Sequence, residues 1–471
     1  MSTTTILRHT VILFLLAFCG SLNAESPLPK TGAEAAFSAW LEAFNSRDLE
    51  KIKKFNASFG LTDPAEETLD WSKQTGGYEL VKIEESKTHG LIALVRDKKD
   101  TDEQLRVTLS LPKKSPSALK LEFDSIDIPR RSQADALAAP SNRIDKLAEE
   151  GEFSGAVLIA KNDKVLLEKA WGMADREAGM PNKSETRFRL GSANKMFTAV
   201  AILQLVQSGK VSLNATIDQY LPSFPNASVR SSVTVRDLLT HQSGLVDIDF
   251  SDSEGFTPET YAILREKLKT HADYVAYYGP RAPLSKPREK IEYNSFAFIV
   301  LGAIVESVSG KSYYDYVDAN IFKPANMMAS GSLPESEKVE DRSKGYTSRD
   351  DKSVSNHDTL PYRGTAAGGG YSTVGDLYKF AQALQSGKLL SPELLAQATQ
   401  SQISENWYGY GFITVGKGPL RRFGHGGDSP GMNADVRIFP ESGYVLVSLS
   451  NIDPPAAYTV FRYYEPRMPI D

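Results

Sequence analysis

The pattern of apolar and polar positions divides the chain into two parts. Over residues 32–59, apolar residues recur at spacings of three and four, which predicts amphipathic helices. After the Gly76-Gly77 pair, short alternating runs up to residue 128 predict a curled antiparallel sheet. The next stretch is polar and contains prolines and alanines. We therefore predict a small α+β domain over residues 31–129 and a linker over residues 130–142.

The second part begins and ends with apolar runs that predict strands. Residues 156–160 and 165–170 flank one polar turn, and residues 434–439 and 444–450 flank another. The long region between these hairpins is mostly helical in pattern. We predict an α+β fold over residues 143–465, in which N- and C-terminal strands form one antiparallel sheet around a large helical region.

One predicted helix in this region is apolar on nearly every side. No proline interrupts residues 193–207, and Ser208-Gly209 supplies a C-terminal stop. A helix with so little polar surface must be surrounded by protein. We therefore expect it to lie between the sheet and the other helices.

A serine and a lysine stand at the start of this helix. Ser192 and Lys195 are three residues apart, so they share one helix face, with Ser192 at the positive end of the helix dipole. A desolvated lysine can take the proton of a serine hydroxyl at neutral pH. The same spacing recurs at Ser110–Lys113 and Ser117–Lys120, where Pro112 and Pro116 argue against a helix. Ser192 is therefore the candidate nucleophile.

Two later stretches offer the other groups that a serine nucleophile needs. Tyr293 stands just ahead of an aliphatic helix, and near two cationic groups we expect its pKa to be lowered. His425-Gly426-Gly427 leads into the last hairpin, where the glycines allow an extended acyl group to approach a strand edge. We expect the imidazole to face the cleft as an electrostatic or hydrogen-bonding partner.

The second stretch also contains a rival nucleophile. Residues 427–431 fit Gly-x-Ser-x-Gly, with Ser429 in the middle. The residue after such a nucleophile donates its backbone N–H to the oxyanion, and Pro430 has none. We therefore exclude Ser429.

Composition and the N-terminus narrow the function further. The 471 residues contain 54 Lys and Arg against 59 Asp and Glu, with no dense basic run, which excludes a nucleic-acid partner. Residues 1–24 have the form of a secretory signal peptide cleaved after Ala24, with an apolar segment too short to span a bilayer. We expect a periplasmic or secreted bacterial protein. Lipid attachment at Cys19 is the less favoured alternative, because Phe18 stands where a small residue is needed.

The candidate chemistry requires no metal or cofactor. Cys19 is the only cysteine, so the mature chain would have no thiolate ligand and no disulfide. The six histidines are scattered and form no His-x-x-x-His pair. We therefore expect neither a metal site nor a cofactor.

The order of three short elements resembles that found in the serine β-lactamase and penicillin-binding protein superfamily. The resemblance is to its class C-like branch, which also contains family VIII esterases and D-stereospecific peptidases. Ser192 to Lys195 matches Ser-x-x-Lys, Tyr293-Asn294-Ser295 matches Tyr-x-Asn, and His425-Gly426-Gly427 matches Lys-Thr-Gly. The resemblance covers about residues 140–465. Separately, residues 39–48 resemble the opening helix of nuclear-transport-factor-2-like domains. This resemblance implies a small, cone-like α+β fold for residues 31–129, which we expect to be an accessory domain.

The superfamily resemblance implies an acyl-enzyme on Ser192, with Lys195 and Tyr293 sharing the work of general base and acid. It also implies an oxyanion hole made by the Ser192 N–H and one N–H from the strand beside His425. Ser295 replaces the family's asparagine and His425 its lysine, so carboxylate-bearing amides would be held less firmly. We expect a small ester, amide or cell-wall-derived substrate, with esters cleaved faster than β-lactams. The alternative is a penicillin-binding or sensing protein that acylates with little turnover.

Overall fold

The computed structural model describes residues 31–112, 118–248, 258–349 and 352–470. The predicted signal peptide and Cys19 lie outside the described residues. The chain divides between Ile128 and Pro129 into two compact units, which are described separately below.

The first unit consists of three helices followed by a four-stranded antiparallel sheet. Its helices are α1 (Gly32–Ser46), α2 (Leu49–Phe59) and α3 (Ala65–Thr75), and its strands are β1 (Tyr78–Lys87), β2 (Gly90–Asp97), β3 (Gln104–Ser110) and β4 (Lys120–Ile126). The strands pair in the order β1-β2-β3-β4. The Thr31 side chain accepts from the Glu34 N–H and Asp48 accepts from Glu50 and Lys51, so both first helices are capped.

The core of the first unit lies between α1 and the sheet. Phe37, Trp40 and Phe44 on one face of α1 meet alternating residues of the strands, including Val95 and Val107. This confirms the predicted helices and antiparallel sheet. Helix α3 was not predicted, because only Ala65, Ser72 and Thr75 are buried along it and its apolar period is weak. The resemblance of this unit to nuclear-transport-factor-2-like domains stays a prediction.

The predicted linker over residues 130–142 is wrong. Helix α4 (Gln133–Glu149) occupies most of it, and the Ser132 hydroxyl caps the helix by accepting from the Asp135 N–H. Ala136, Ile144 and Leu147 are buried in a core beneath the large sheet of the second unit. Three buried positions among many polar ones were too sparse to outweigh the polar composition.

A six-stranded antiparallel sheet forms the centre of the second unit. Its strands are β5 (Gly155–Lys161), β6 (Lys164–Trp171), β13 (Ile413–Val415), β14 (Arg422–Ser429), β15 (Met432–Ile438) and β16 (Tyr444–Ser450); short outlying strands are β7 (Met173–Asp175), β8 (Met180–Pro181), β9 (Phe188–Arg189), β10 (Tyr346–Arg349), β11 (Lys352–Ser355) and β12 (Tyr371–Ser372). The order is β13-β14-β15-β16-β5-β6. Because β16 pairs with β5, the sheet joins both ends of the unit, as predicted.

Helices fill the region between the terminal strands. They are α5 (Lys195–Gln207), α6 (Ala227–Ser232), α7 (Val235–Leu239), α8 (Pro258–Lys267), α9 (His271–Tyr278), α10 (Ser295–Ser309), α11 (Tyr313–Val317), α12 (Lys323–Ala325), α13 (Val374–Gln385), α14 (Pro392–Ala398) and α15 (Ala456–Tyr464). Helices α5 and α10 lie in one large core with the sheet. This confirms that the all-apolar helix is enclosed by protein. Among the described residues no single helix could cross a bilayer; only the pair Ser295–Ser309 and Tyr313–Ala325, bent by 77°, meets the length and apolarity test together.

Candidate active site

Ser192 lies in a 3₁₀ turn, Gly191–Asn194, that leads directly into α5. Lys195 is the first residue of α5 and is 0% exposed. Its Nζ lies 3.2 Å from Ser192 Oγ and 3.2 Å from Ser295 Oγ, and it donates to the Ala367 carbonyl at 2.7 Å. The start of the buried helix therefore holds a serine and a lysine in hydrogen-bond contact.

Burial changes the protonation of Lys195. Removal from water disfavours the ammonium form and lowers the pKa of Lys195 to about 7, against the opposing attraction of the Asp247 carboxylate. A large fraction of this amine is therefore neutral near pH 7. Its lone pair can then accept the Ser192 proton while its N–H groups bond to Ser295 and Ala367.

Tyr293 stands on the other side of the serine. Its side chain is 39% exposed, yet its hydroxyl is enclosed and hydrogen-bonded to Ser192. Lys195 Nζ lies 4.7 Å from the centre of the Tyr293 ring. Burial raises the pKa of Tyr293, an effect that the bond to Ser192 only partly opposes, so the expected lowering is wrong. The phenol keeps its proton.

The two residues after Tyr293 face in different directions. Ser295 points at Lys195, whereas Asn294 is buried and caps α10, accepting from the Ala297 N–H at 2.7 Å and donating to the Leu245 carbonyl at 2.8 Å. Both the oxygen and the nitrogen of the Asn294 amide are therefore hydrogen-bonded inside the protein. Asn294 does not replace the asparagine that the family motif has at the next position.

Asp247 is a site residue that the sequence analysis missed. Its Oδ1 accepts from the backbone N–H groups of Ser295 at 2.7 Å and Phe296 at 2.8 Å, which ties it to the start of α10. Through this bond it holds Ser295 in place, and its charge acts on Lys195. The 48 residues that separate Asp247 from Ser295 hide the pair from any local pattern.

His425 is neutral and fully hydrogen-bonded. The ring is 3% exposed; its Nδ1 lies 2.6 Å from the Gly426 carbonyl, which can only accept, and its Nε2 lies 3.0 Å from the Tyr408 hydroxyl. Nδ1 therefore carries the proton and Nε2 accepts from Tyr408. Burial and the nearby Lys195 lower the pKa of His425 to about 3. The expectation of an imidazole that offers charge or a hydrogen bond to the substrate is wrong.

The glycines beside His425 allow β14 to approach the serine turn. A Cβ at Gly427 would overlap the Leu190 carbonyl oxygen, and one at Gly426 would overlap the Tyr458 side chain. Gly191 has φ +51°, and a Cβ there would lie 3.1 Å from the backbone nitrogen of Asp428. Strand and turn are thus in direct contact, with the backbone nitrogens of residues 192 and 428 near one another.

The rival Ser429 occupies no nucleophile elbow. It ends β14, pairs with Met432 across the hairpin and precedes Pro430. The two other Ser-x-x-Lys sequences are not helical where they are described: Ser110 ends β3 and Lys120 begins β4. Lys113 and Ser117 lie outside the described residues.

A small cavity opens in front of Ser192. Its volume is about 130 Å³, and Ile248, Tyr274 and Met432 are among the apolar residues that line it. Asp428 is the only carboxylate among the described residues that line it, and no lysine, arginine or histidine is among them. The cavity is therefore suited to a small acyl group, and its charge favours a cation over an anion.

This fold and this site define the class of β-lactamases and penicillin-binding proteins. The chain belongs to the Beta-lactamase family, whose model matches residues 141–465. The chain is 31% identical over 356 residues to PbpX of Bacillus subtilis (strain 168), which is named as a penicillin-binding protein. The match covers 75% of this chain and 80% of that protein.

Two further relatives narrow the comparison. The teichoic acid D-alanine hydrolase of Staphylococcus aureus is 28% identical over 333 residues, covering 70% of this chain and 77% of that enzyme. The crystal structure of a penicillin-binding protein from Bacillus halodurans has a TM-score of 0.62 and 29% identity, covering 68% of this chain and 99% of that one. The family therefore includes hydrolases, and the predicted fold class is confirmed.

Proposed function

We propose that this protein is a serine acyl-hydrolase that forms an acyl-enzyme on Ser192. The observation that carries the proposal is the contact between Ser192 Oγ and a buried lysine whose pKa is lowered to about 7. A neutral amine at 3.2 Å can accept the hydroxyl proton as Oγ attacks a carbonyl carbon.

The remaining groups complete acylation. The backbone N–H groups of Ser192 and Asp428 stabilise the oxyanion, each contributing roughly 3 to 4 kcal/mol to lowering the barrier. As the bond to the leaving oxygen or nitrogen breaks, the Tyr293 hydroxyl donates a proton to that atom and is reprotonated from Lys195. Water then attacks the acyl-enzyme by the reverse sequence, which releases the acid and restores Ser192.

The charge of the cavity supports a substrate that carries an ammonium group. Asp428 is exposed at the cavity, and the Asn433 amide fixes its Oδ1 at 2.6 Å. Although part of the side chain is exposed, partial burial of its carboxyl group raises the pKa of Asp428. Hydrogen bonds from Tyr458 and Asn433 oppose this rise. A cavity of about 130 Å³ holds roughly four or five non-hydrogen atoms, at about 30 Å³ each. We therefore propose a D-alanyl ester or amide derived from the cell envelope, a class that the staphylococcal relative's name also supports.

The nucleophile is tested by mass spectrometry of the intact protein after incubation with a fluorophosphonate. We expect one adduct on the native chain and none on Ser192→Ala; an adduct that persists in the variant refutes the assignment. A stable acyl adduct without turnover of any ester would instead favour the penicillin-binding or sensing alternative. Comparing p-nitrophenyl esters with nitrocefin tests the expected preference for esters.

The substrate class is tested with D-alanyl and 2-methylpropanoyl esters of one leaving alcohol, whose acyl groups have the same number of non-hydrogen atoms. We expect Asp428→Asn to lower kcat/KM for the D-alanyl ester by about tenfold or more, because a hydrogen bond to a charged group contributes about 1.5 to 3 kcal/mol. The 2-methylpropanoyl ester, which has a methyl group in place of the ammonium, should be unaffected. Equal losses for both esters would show that Asp428 does not recognise the ammonium.

We also propose that the protein is exported and acts in the periplasm or outside the cell. The form of residues 1–24 supports this, with Arg8 ahead of an apolar run and Ala24 directly before Glu25. N-terminal sequencing of the protein from fractionated cells should find Glu25 first in the periplasmic or secreted fraction. A chain that retains Met1 in the cytoplasm would refute export.

A further inference from the structure

The first unit contains a cavity that has no part in the serine chemistry. Its volume is about 350 Å³, and it lies between the three helices and strand β4. At about 30 Å³ for each water-sized group, this volume accommodates roughly twelve non-hydrogen atoms. The cavity is thus large enough for a small organic ligand.

Aromatic rings form the floor and walls of this cavity. The ring centroids of Trp40 and Phe123 are 5.6 Å apart, those of Trp71 and Phe123 are 4.8 Å apart, and those of Phe44 and Trp71 are 5.0 Å apart. Phe55 lines the cavity as well. Two of these rings are indoles, whose electron-rich faces attract organic cations most strongly among the aromatic side chains.

The rim of the cavity is acidic. Asp63 and Glu67 line it, both are exposed, and no lysine, arginine or histidine is among the described residues that line it. Asn56 turns its amide toward the protein, donating to the Asp63 backbone carbonyl at 3.2 Å. The edge of the cavity therefore carries two carboxylate side chains, and aromatic rings line its interior.

We infer that this cavity is a second binding site, for an organic ammonium ion with an apolar body. The apolar part fills the space among Trp40, Trp71 and Phe123, and the cationic head lies between the Asp63 and Glu67 carboxylates. Aromatic faces attract the cation through their quadrupoles, and the carboxylates add direct Coulombic attraction. An anionic ligand of the same shape is repelled by the same two groups.

Titration calorimetry on the full chain tests the site with benzyltrimethylammonium as the probe. We expect saturable binding with one site per chain. The neutral analogue 2,2-dimethyl-3-phenylpropan-1-ol, in which carbon replaces the nitrogen and one methyl carries a hydroxyl, should bind about tenfold or more weakly, because it lacks the cation–π and ion-pair attraction. Equal affinity for both compounds would overturn the cation site, as would the absence of saturable heat up to the solubility limit of the probe.

Charge-removing variants locate the site and include a matched control. Glu66 and Glu67 are neighbours in the first turn of α3, but Glu66 pairs with Lys53 at 3.4 Å, whereas Glu67 lines the cavity. We expect Asp63→Asn combined with Glu67→Gln to weaken probe binding about fivefold or more. Glu66→Gln removes a charge from the same helix turn and should leave binding unchanged.

Two outcomes of the variant experiment overturn the proposal: unchanged binding in the double variant, or equal weakening by Glu66→Gln. Hydrolysis by the second unit provides an independent readout, because Asp63 and Glu67 lie outside the serine site. We expect both variants to keep full esterase activity, which separates failure of this site from failure of the proposed function.

Discussion

The protonation of Lys195 should be sensitive to a carboxylate that never contacts it. Asp247 opposes the effect of burial by favouring the charged amine, so its removal should lower the pKa of Lys195 further below about 7. Asp247→Asn removes the charge but keeps an oxygen that can accept the N–H groups of Ser295 and Phe296. We predict that the acidic limb of the pH–rate profile moves to lower pH.

The size of this effect follows from the hydrogen bonds that connect the two residues. Asp247 bonds to the Ser295 nitrogen at 2.7 Å and Lys195 bonds to the Ser295 hydroxyl at 3.2 Å, which puts the charges roughly 8 Å apart. With an effective dielectric constant between about 20 and 80, the interaction is about 0.5 to 2 kcal/mol. This corresponds to a displacement of about 0.4 to 1.5 on the pH scale.

The assay is kcat/KM for a p-nitrophenyl ester across the pH range, since this ratio reports ionisation of the free enzyme. Neutral Lys195 increases as pH rises, so activity should rise through about pH 7 in the native protein and earlier in Asp247→Asn. His241, His425 and Tyr293 also surround Lys195 and are the same in both proteins. The difference between the two profiles is therefore assigned to Asp247.

A control variant distinguishes the effect of removing a charge from the effect of losing a helix cap. Asp273 belongs to the capping box of α9, where it accepts from the Thr270 N–H, and Asp273→Asn should lower stability by about 1 kcal/mol without moving the profile. A midpoint in Asp247→Asn that stays in place or moves to higher pH would refute the electrostatic reasoning. A shift of equal size in the pH–rate profile of Asp273→Asn would also refute it.

Three further substitutions test other parts of the site. Tyr293→Phe should lower kcat by about 10² to 10⁴ while leaving the melting temperature unchanged, because it removes only the hydroxyl proton relay. Gly427→Ala should destabilise the protein by about 1 to 3 kcal/mol in urea unfolding and abolish acylation, since its Cβ would overlap the Leu190 carbonyl. Tyr408→Phe should lower the free energy of unfolding by about 1 to 3 kcal/mol in the same measurement, because it leaves Nε2 of His425 without its donor. An unchanged free energy of unfolding in either variant would contradict these contacts.

The elements predicted correctly from the sequence are those in which one local period dominates. The hairpins around residues 162–163 and 440–443 combine alternating apolar runs with turn residues, and both form in the predicted positions. Helix α4 escaped prediction because it depends on a few contacts with the distant strands and with α15, which polar composition does not reveal. Tertiary packing overrides composition there.

The same distinction between local and long-range signals applies to the residues of the candidate site. Ser192, Lys195 and Tyr293 were predicted from motif order, and the structure brings the three together; their catalytic roles remain proposals. Asp247 and Tyr408 act through contacts 48 and 17 residues away in the chain, and neither belongs to a recurring motif. The neutrality of His425 was equally hidden, because it depends on how deeply the ring is buried.

Two glycines set the point at which the chain leaves the edge of strand β14. Within the six-stranded sheet, strand β13 pairs with Arg422–Gly424, and continued pairing would bring the residues before Ile413 alongside His425 and the glycines that face Ser192. The chain turns away instead at Gly409 and Gly411, where a Cβ would overlap the Ala398 carbonyl and the Ala199 side chain respectively. The residues before these bends fold back on β13, where Tyr408 bridges to Ile413, so pairing between β13 and β14 ends at Gly424. We expect the length of β13, set by these bends, to affect how bulky a substrate can reach Ser192.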